Sequence, residues 1–221
     1  MISPHTYALK YLIGKRTKTI LERVDKLRNE IAELKRKIEY PTEEEQLVIS
    51  FPSNQTRLSC ERKYLEEAFK ILDKRKVKYQ KTEEEKKNTD FLASLPYIKS
   101  IHLHMGEHTP NIRNLEVIFN SEDAVIRKSS LSPDNVPQNE ERIEEKEIIL
   151  EKMADLYMGE WKDYYCKEKT IISDGTQWEL TIHFTNKDEP MIVRGDNVYP
   201  YNFLRFLSIF GAEDLYHCDK K

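Results

Sequence analysis

An apolar repeat near the N-terminus constrains the fold more than any other feature of this chain. Its members are spaced alternately three and four residues apart, with Thr17 in the one polar position: Ile13, Ile20, Val24, Leu27, Ile31, Leu34 and Ile38. This spacing places all members on one stripe of an α-helix, as in a coiled coil. The sequence therefore predicts a long helix over residues 16–39, which ends before Pro41 because proline cannot continue the hydrogen-bond ladder.

The apolar stripe needs another apolar surface to cover it. Its β-branched members alternate with leucines, a pattern that favours a parallel dimer. Packing on a second helix of the same chain, predicted over about residues 60–75, is the alternative, and the pattern alone does not choose between the two. The predicted interface residues are Ile20, Val24, Leu27, Ile31, Leu34 and Ile38.

Beyond residue 40, short strand patterns alternate with amphipathic helix patterns. Strands are predicted over 46–51, 97–105, 114–120, 123–128, 178–184 and 191–193, and helices over 60–75, 82–95, 140–165 and 203–207. We predict an α+β fold, with a long N-terminal coiled-coil-like helix followed by two small lobes of helix plus antiparallel sheet. The expected divisions are 1–40 for the helix, 41–129 for the first lobe, 130–139 for a linker and 140–221 for the second lobe.

Charge is distributed unevenly between the two parts of the chain. Residues 1–81 carry 19 Lys and Arg against 12 Asp and Glu, whereas the rest carries 17 against 27. A basic cluster closes the first part: Lys74, Arg75, Lys76, Lys78 and Lys81, with Tyr79 interleaved. Such residues suit phosphate contacts and base stacking, although cations also complement the C-terminal end of a helix. Nucleic-acid binding at this cluster is therefore one alternative function.

Histidines are concentrated in one predicted strand and the loop after it. His102 and His104 lie two residues apart, so they project from the same face of a strand, as chelating imidazoles do. His108, or Glu107 beside it, would complete a metal site from the loop. The alternative is an ordinary solvent-facing strand on which histidine is one polar choice among many.

Other common sites lack a signature in this sequence. The cysteines, Cys60, Cys166 and Cys218, show neither a disulfide framework nor a paired zinc spacing. The six glycines are dispersed, so no phosphate-binding loop and no cofactor are predicted. No stretch approaches the roughly 20 apolar residues of a membrane span, and residues 1–10 lack a signal-peptide core. We expect a cytoplasmic protein without membrane contact.

One C-terminal block resembles a known sequence pattern. It reads DGxxWELxI over residues 174–182 and GxNxYPxxF over residues 195–203. The block is similar to a motif in uncharacterised proteins of Gram-positive bacteria and their mobile elements. The resemblance covers about 30 of the 221 residues and implies no catalytic or binding residue. Its residue types suggest a folding unit with a hairpin turn at Asp174-Gly175 and a core-facing Trp178.

These observations favour a non-enzymatic protein–protein interaction module. The resemblance to mobile-element proteins implies a bacterial or phage regulator or inhibitor that binds a partner such as a nucleic-acid-guided nuclease, in an anti-defence role. The expected partner is another protein, a nucleoprotein complex, or a second copy that pairs through the N-terminal helix as a homodimer. The alternatives are a metal-dependent enzyme or metal-binding protein at the histidine cluster, and a nucleic-acid-binding accessory protein.

Overall fold

The structure, a computed structural model, describes residues 1–106, 113–131, 137–167 and 176–216. The chain divides into two compact units, unit 1 over Met1–Lys81 and unit 2 over Thr82–Lys221. Unit 1 is helical in its described elements, and unit 2 contains a seven-stranded sheet with helices. The predicted α+β class is therefore confirmed. None of the helices that the structure describes has the length and apolar character to cross a membrane.

The α-helices in the described residues of unit 1 are α1 Pro4–Tyr11, α2 Thr17–Glu39, α3 Glu43–Leu47 and α4 Asn54–Lys74. Three of them, α1, α3 and α4, begin at a side chain that caps free backbone amides, whereas Arg16 before α2 provides no such cap. Ser3 and Ser53 cap α1 and α4 through their hydroxyl groups, and Thr42 forms a capping box with Glu45 at the start of α3. The long helix predicted from the apolar repeat corresponds to α2 and is confirmed.

The core of unit 1 lies between α1, α2 and α4. Ile20, Val24 and Leu27 of the repeat are buried there, with side chains from α1 and α4 completing the cluster: Tyr7, Ala8, Leu12, Tyr64, Ala68 and Leu72. Ile31 and Leu34 are also buried, Ile38 is half-buried, and Ile13 is exposed before α2 begins. Helices of its own unit thus cover the N-terminal half of the apolar stripe. This is packing within one chain, the alternative to a dimer that the sequence left open.

An acidic pair between α2 and α4 is expected to make unit 1 sensitive to pH. Burial raises the pKa of Glu61, and the neighbouring Glu30 carboxylate raises it further. A raised pKa means that the folded unit holds this proton more tightly than the unfolded chain does. The stabilisation is therefore complete below the unfolded pKa of 4.5 and is lost as the pH rises through the folded pKa.

Glu61→Gln should stabilise unit 1 at neutral pH, because it removes the repulsion between like charges. We expect a gain of about 0.5 kcal/mol, the usual magnitude for a like-charge pair on helices. Urea denaturation of the full chain measures this gain, and Glu43→Gln, at an exposed glutamate of α3, is the control. A gain that persists unchanged at pH 4 would contradict the assignment to charge repulsion.

Unit 2 is built on one sheet. Its strands are β1 Ile98–Gly106, β2 Arg113–Phe119, β3 Asp123–Leu131, β4 Pro137–Glu145, β5 Tyr164–Tyr165, β6 Gln177–Phe184 and β7 Met191–Asp196. Their order is β4-β3-β2-β1-β6-β7-β5, antiparallel except between β5 and β7. The α-helices are α5 Glu83–Ser94, α6 Lys146–Ala154 and α7 Phe203–Ile209, and single 3₁₀ turns are Leu95–Tyr97, Met158–Glu160 and Glu213–Tyr216. Buried apolar side chains alternate with polar ones along β1, β2 and β6.

Two elements predicted from local sequence differ in the structure. The helix predicted over 140–165 is wrong in its first turns, because residues 137–145 form β4 and only Lys146–Ala154 is an α-helix. The strand predicted over 46–51 is also wrong, since its first residues close α3 and, among the described residues, the rest pairs with no strand. In both places the outcome depends on a neighbouring strand, which is present for β4 and which the described residues do not provide for 46–51.

The strands that the sequence assigned to two lobes form one sheet in the structure. β1 pairs with β2 on one edge and with β6 on the other, so it joins strands from both predicted lobes. Of the predicted linker 130–139, residues 130–131 belong to β3 and 137–139 to β4, and the remainder lies outside the described residues. β1 can join both sides because its buried side chains face the same layer as those of β2 and β6.

The C-terminal block forms a tightly packed folding unit around Trp178. The indole Nε1 donates a hydrogen bond to the Val198 carbonyl at 3.0 Å, and the ring packs against Tyr199 and Phe203. Gly195 lies directly against the indole, where a Cβ atom would approach Nε1 to 2.3 Å. The motif residues thus contact one another as expected for a folding unit, whereas the predicted Asp174-Gly175 turn lies outside the described residues.

Gly195→Ala should destabilise unit 2 strongly, because the new methyl group would overlap the Trp178 ring in a closely packed core. We expect a loss of about 2–4 kcal/mol in the free energy of unfolding. Gly106→Ala is the matched control, since among the described residues a Cβ there meets a His104 ring atom at 3.5 Å, an ordinary van der Waals contact. Thermal or urea denaturation with tryptophan fluorescence measures both. Equal stability of the two variants would contradict the packing argument.

Candidate functional site

One face of the unit 2 sheet, here called the open face, carries polar side chains in cross-strand rows. The middle row runs from β6 to β4 through Thr181, His102, Glu116, Arg127 and Glu141. A neighbouring row contains Arg194, Glu179, His104, Asn114, Ser129 and Asn139. These two rows border a surface cavity of about 520 Å³, and a second cavity of about 420 Å³ adjoins it at His104 and Glu179.

Ion pairs between opposite charges connect the open face. Arg127 binds Glu141 at 2.7 Å and Glu116 at 3.2 Å, and Arg194 binds Glu179 at 2.6 Å. Cross-strand pairs of this kind stabilise a sheet modestly and are screened by salt. Because these opposite charges are paired on the protein itself, their electrostatic fields largely cancel.

The two histidines predicted as metal ligands lie on the open face, but each of them contacts a different side chain of the sheet and not the other histidine. His102 Nε2 is 2.9 Å from Ser100 Oγ, and its Nδ1 is 3.7 Å from Glu116. His104 Nδ1 is hydrogen-bonded to the side chain of Asn114. Within the described residues no group of three or more His, Cys, Asp or Glu side chains is placed to hold a metal ion. His108 and Glu107 lie outside the described residues, so the metal site stays a prediction.

The basic cluster predicted to bind nucleic acid closes α4. Lys76 adopts a left-handed conformation, and its amide and that of Val77 bond back to Asp73 and Leu72, which ends the helix. Arg75 donates to the Lys15 carbonyl at 2.8 Å. The aromatic partner for stacking is already occupied, because the Tyr79 ring stacks on Phe69 with centroids 4.7 Å apart. The cluster is exposed, and its role in nucleic-acid binding stays a prediction.

The most unusual surface lies in unit 1, at the last residue of α3 and in the connection from α3 to α4. We call it the 47–51 segment: Leu47, Val48, Ile49, Ser50 and Phe51. The exposed fractions of its four apolar residues, in chain order, are 84, 68, 98 and 102%. Large apolar side chains are normally exposed singly, whereas a contiguous exposed group marks an interaction site or an aggregation hazard.

Both ends of the 47–51 segment are fixed by side-chain interactions. Before it, Arg36 on α2 donates to Glu45 on α3 at 2.6 Å and also to Glu33, so α3 is held against α2. After it, the Ser53 hydroxyl accepts from the Thr56 amide at 3.2 Å and caps α4. The segment is therefore held at both ends, as binding loops on a rigid scaffold are.

The anchor at Glu45 depends on its charge. Hydrogen bonds from Arg36 lower the pKa of Glu45 to about 2. A lowered pKa means that this stabilisation is present above the unfolded pKa of 4.5 and is lost as the pH falls through about 2. At neutral pH the anchor is fully formed.

Glu45→Gln should release α3 without unfolding the rest of unit 1. The amide group of glutamine keeps the size of the side chain but removes the charge that holds Arg36. We expect faster hydrogen exchange at the amides of residues 43–47 and unchanged protection in the middle of α4. Glu44→Gln, at a glutamate for which the structure shows no ion pair, is the control. Equal protection of α3 in both variants would show that Arg36 does not anchor it.

The exposure of the 47–51 segment was not predicted from the sequence, although the composition of the segment contained a signal. Four β-branched or large apolar residues in a run of five normally form a strand, and a strand needs a partner. No strand pattern lies close to it in residues 1–81. That absence of a partner was the available sign that the run is exposed.

Comparison of the chain with family models, with curated proteins and with solved structures finds no match. The surfaces of the chain itself are therefore the basis for its proposed function.

Proposed function

We propose that this protein acts by binding another polypeptide and that the 47–51 segment is its principal contact. The observation that carries the proposal is the near-complete exposure of Ile49 and Phe51 in a segment anchored at both ends. Covering four large apolar side chains removes their surface from water, which is the main favourable term in protein association.

A protein partner suits this segment better than a lipid surface does. Three glutamates, Glu43, Glu44 and Glu45, precede it with only Gln46 between. Acidic residues beside an apolar loop are repelled by anionic lipid headgroups, whereas membrane-docking loops carry Lys or Arg there. The acidic flank instead favours a protein surface that is apolar at its centre and basic or polar at its rim.

The proposal can be tested by photo-crosslinking in cells that naturally make the protein. A photoreactive phenylalanine analogue at Ile49 should form covalent adducts with a second polypeptide, because the side chain lies in the contact. The same analogue at Leu204, an exposed leucine on α7, is the control and should give few adducts. Adducts that are absent at Ile49, or equally abundant at both positions, would refute the proposed contact.

The nucleic-acid-guided nuclease suggested by the C-terminal resemblance remains a prediction about the partner's identity. If such a nuclease is the target, the purified chain should inhibit it, and Ile49→Lys should relieve the inhibition. Inhibition that is unaffected by Ile49→Lys would place the nuclease contact on another surface.

A further inference from the structure

We propose that the partner of the 47–51 segment is the same segment of a second copy of this chain, so that two copies form a twofold-symmetric dimer. This inference rests on the proposed function, because it assumes that the segment is a protein contact, and it adds the identity of the partner. The proposed dimer interface differs from the one predicted on the apolar stripe of α2, because Ile20, Val24 and Leu27 of that stripe are already buried in unit 1.

The segment is complementary to itself in the antiparallel direction. With Ile49 on the twofold axis, Leu47 of one copy faces Phe51 of the other, and Val48 faces Ser50. Leu47 ends α3, and Val48 after it is extended. Pairing that extends the segment from Leu47 to Phe51 makes its side chains alternate between two sides, so Leu47, Ile49 and Phe51 then share one side. Pairing two copies brings six large apolar side chains together, with leucine opposite phenylalanine in favourable cross-strand pairs.

The backbone of the segment is available for this pairing. Val48 has extended dihedral angles, with φ of −92° and ψ of 111°. In the described part of the chain, no backbone hydrogen bond joins Val48, Ile49 or Ser50 to another residue. An extended segment with unpaired amides and carbonyls is a template for another strand, and antiparallel pairing would satisfy these groups.

Charges on the two flanks are also complementary in this arrangement. Glu43 and Glu44 precede the segment, whereas the start of α4 and Arg57 follow it. The first turn of α4 contains no acidic residue, and a helix N-terminus carries partial positive charge that favours a nearby anion. Antiparallel pairing places the glutamates of one copy beside the start of α4 in the other.

The positive net charge of unit 1 does not oppose this contact. Its densest basic cluster, residues 74–81, follows the far end of α4. A helix of this length spans roughly 30 Å. Charges at that separation are screened in physiological salt, where the Debye length is about 8 Å.

The segment supplies part of the area that a dimer interface requires. A large apolar side chain loses roughly 100 Å² of exposed surface when it is covered, so the three that share one side would contribute roughly 300 Å² per copy. A standard interface buries about 800 Å² per partner. The flanks of α3 and α4 would supply the remainder, and the twofold axis closes the assembly at two copies.

Sedimentation equilibrium of the purified full-length chain tests the proposal. We expect a concentration-dependent mass that reaches twice the 26.3 kDa of one chain. Ile49→Lys should raise the dimer dissociation constant by about 100-fold or more, because both copies lose an apolar side chain at the axis. Leu204→Lys, at an exposed leucine outside the segment, should leave it unchanged. Because Ile49 is fully exposed, circular dichroism should show the same fold for both variants.

A charge exchange tests the antiparallel register separately. Glu44→Arg or Arg57→Glu alone should weaken the dimer, and the double variant should restore most of the affinity, since the opposite charges meet again across the interface. A double variant that is weaker than either single one would overturn the register and with it the proposed pairing.

The outcomes distinguish self-pairing from the more general proposal. A mass of one chain at every concentration, or a dimer that Ile49→Lys leaves intact, would overturn self-pairing. A chain that stays monomeric but sediments with phosphatidylcholine–phosphatidylglycerol vesicles would also overturn it and would indicate a lipid contact. A monomer that still forms Ile49 crosslinks to a different protein in cells would overturn self-pairing alone and leave the proposed function standing.

Discussion

The pairing of β1 on both edges is the constraint on which unit 2 depends. Ile101, Leu103 and Met105 of this strand are almost completely buried, and each lies in register with β2 and β6. A slip of one residue would reverse the two faces and bury His102 and His104 in place of the apolar side chains. The same register therefore fixes both the core layer and the polar rows of the open face.

Features that depend on neighbouring residues could be predicted from the sequence. The apolar repeat predicted α2 because residues three and four apart share one side of a helix. The helix predicted from residue 82 begins at a Thr82–Glu85 capping box, and both of its hydrogen bonds are present. Along β1, the two-residue spacing of His102 and His104 correctly predicted that they share one face, and Ile101, Leu103 and Met105 fill the buried face. In each case the interacting groups lie within a few positions of one another.

Features that depend on distant residues could not be predicted in the same way. From Glu140 onward β4 is rich in glutamate, which favours a helix locally, but Glu140 and Glu141 form ion pairs with Lys128 and Arg127 of β3. The run from Leu47 to Phe51 is the opposite case. Its residues favour a strand locally, but among the described residues it pairs with no strand. Local preference was overridden by pairing in one place and by its absence in the other. The candidate contact was missed because composition shows that residues are apolar but not whether they are covered.

The charges around the 47–51 segment bear on why it would form pairs and not fibres. An exposed apolar run with high strand preference can stack in parallel, in register, as in cross-β assemblies. Parallel stacking would place the glutamates Glu43 and Glu44 of successive copies about 5 Å apart, a spacing at which like charges repel strongly. Antiparallel pairing about Ile49 moves these glutamates to opposite ends of the contact. The acidic flank therefore disfavours open stacking and leaves closed twofold pairing as the arrangement that covers the apolar side chains without bringing like charges together.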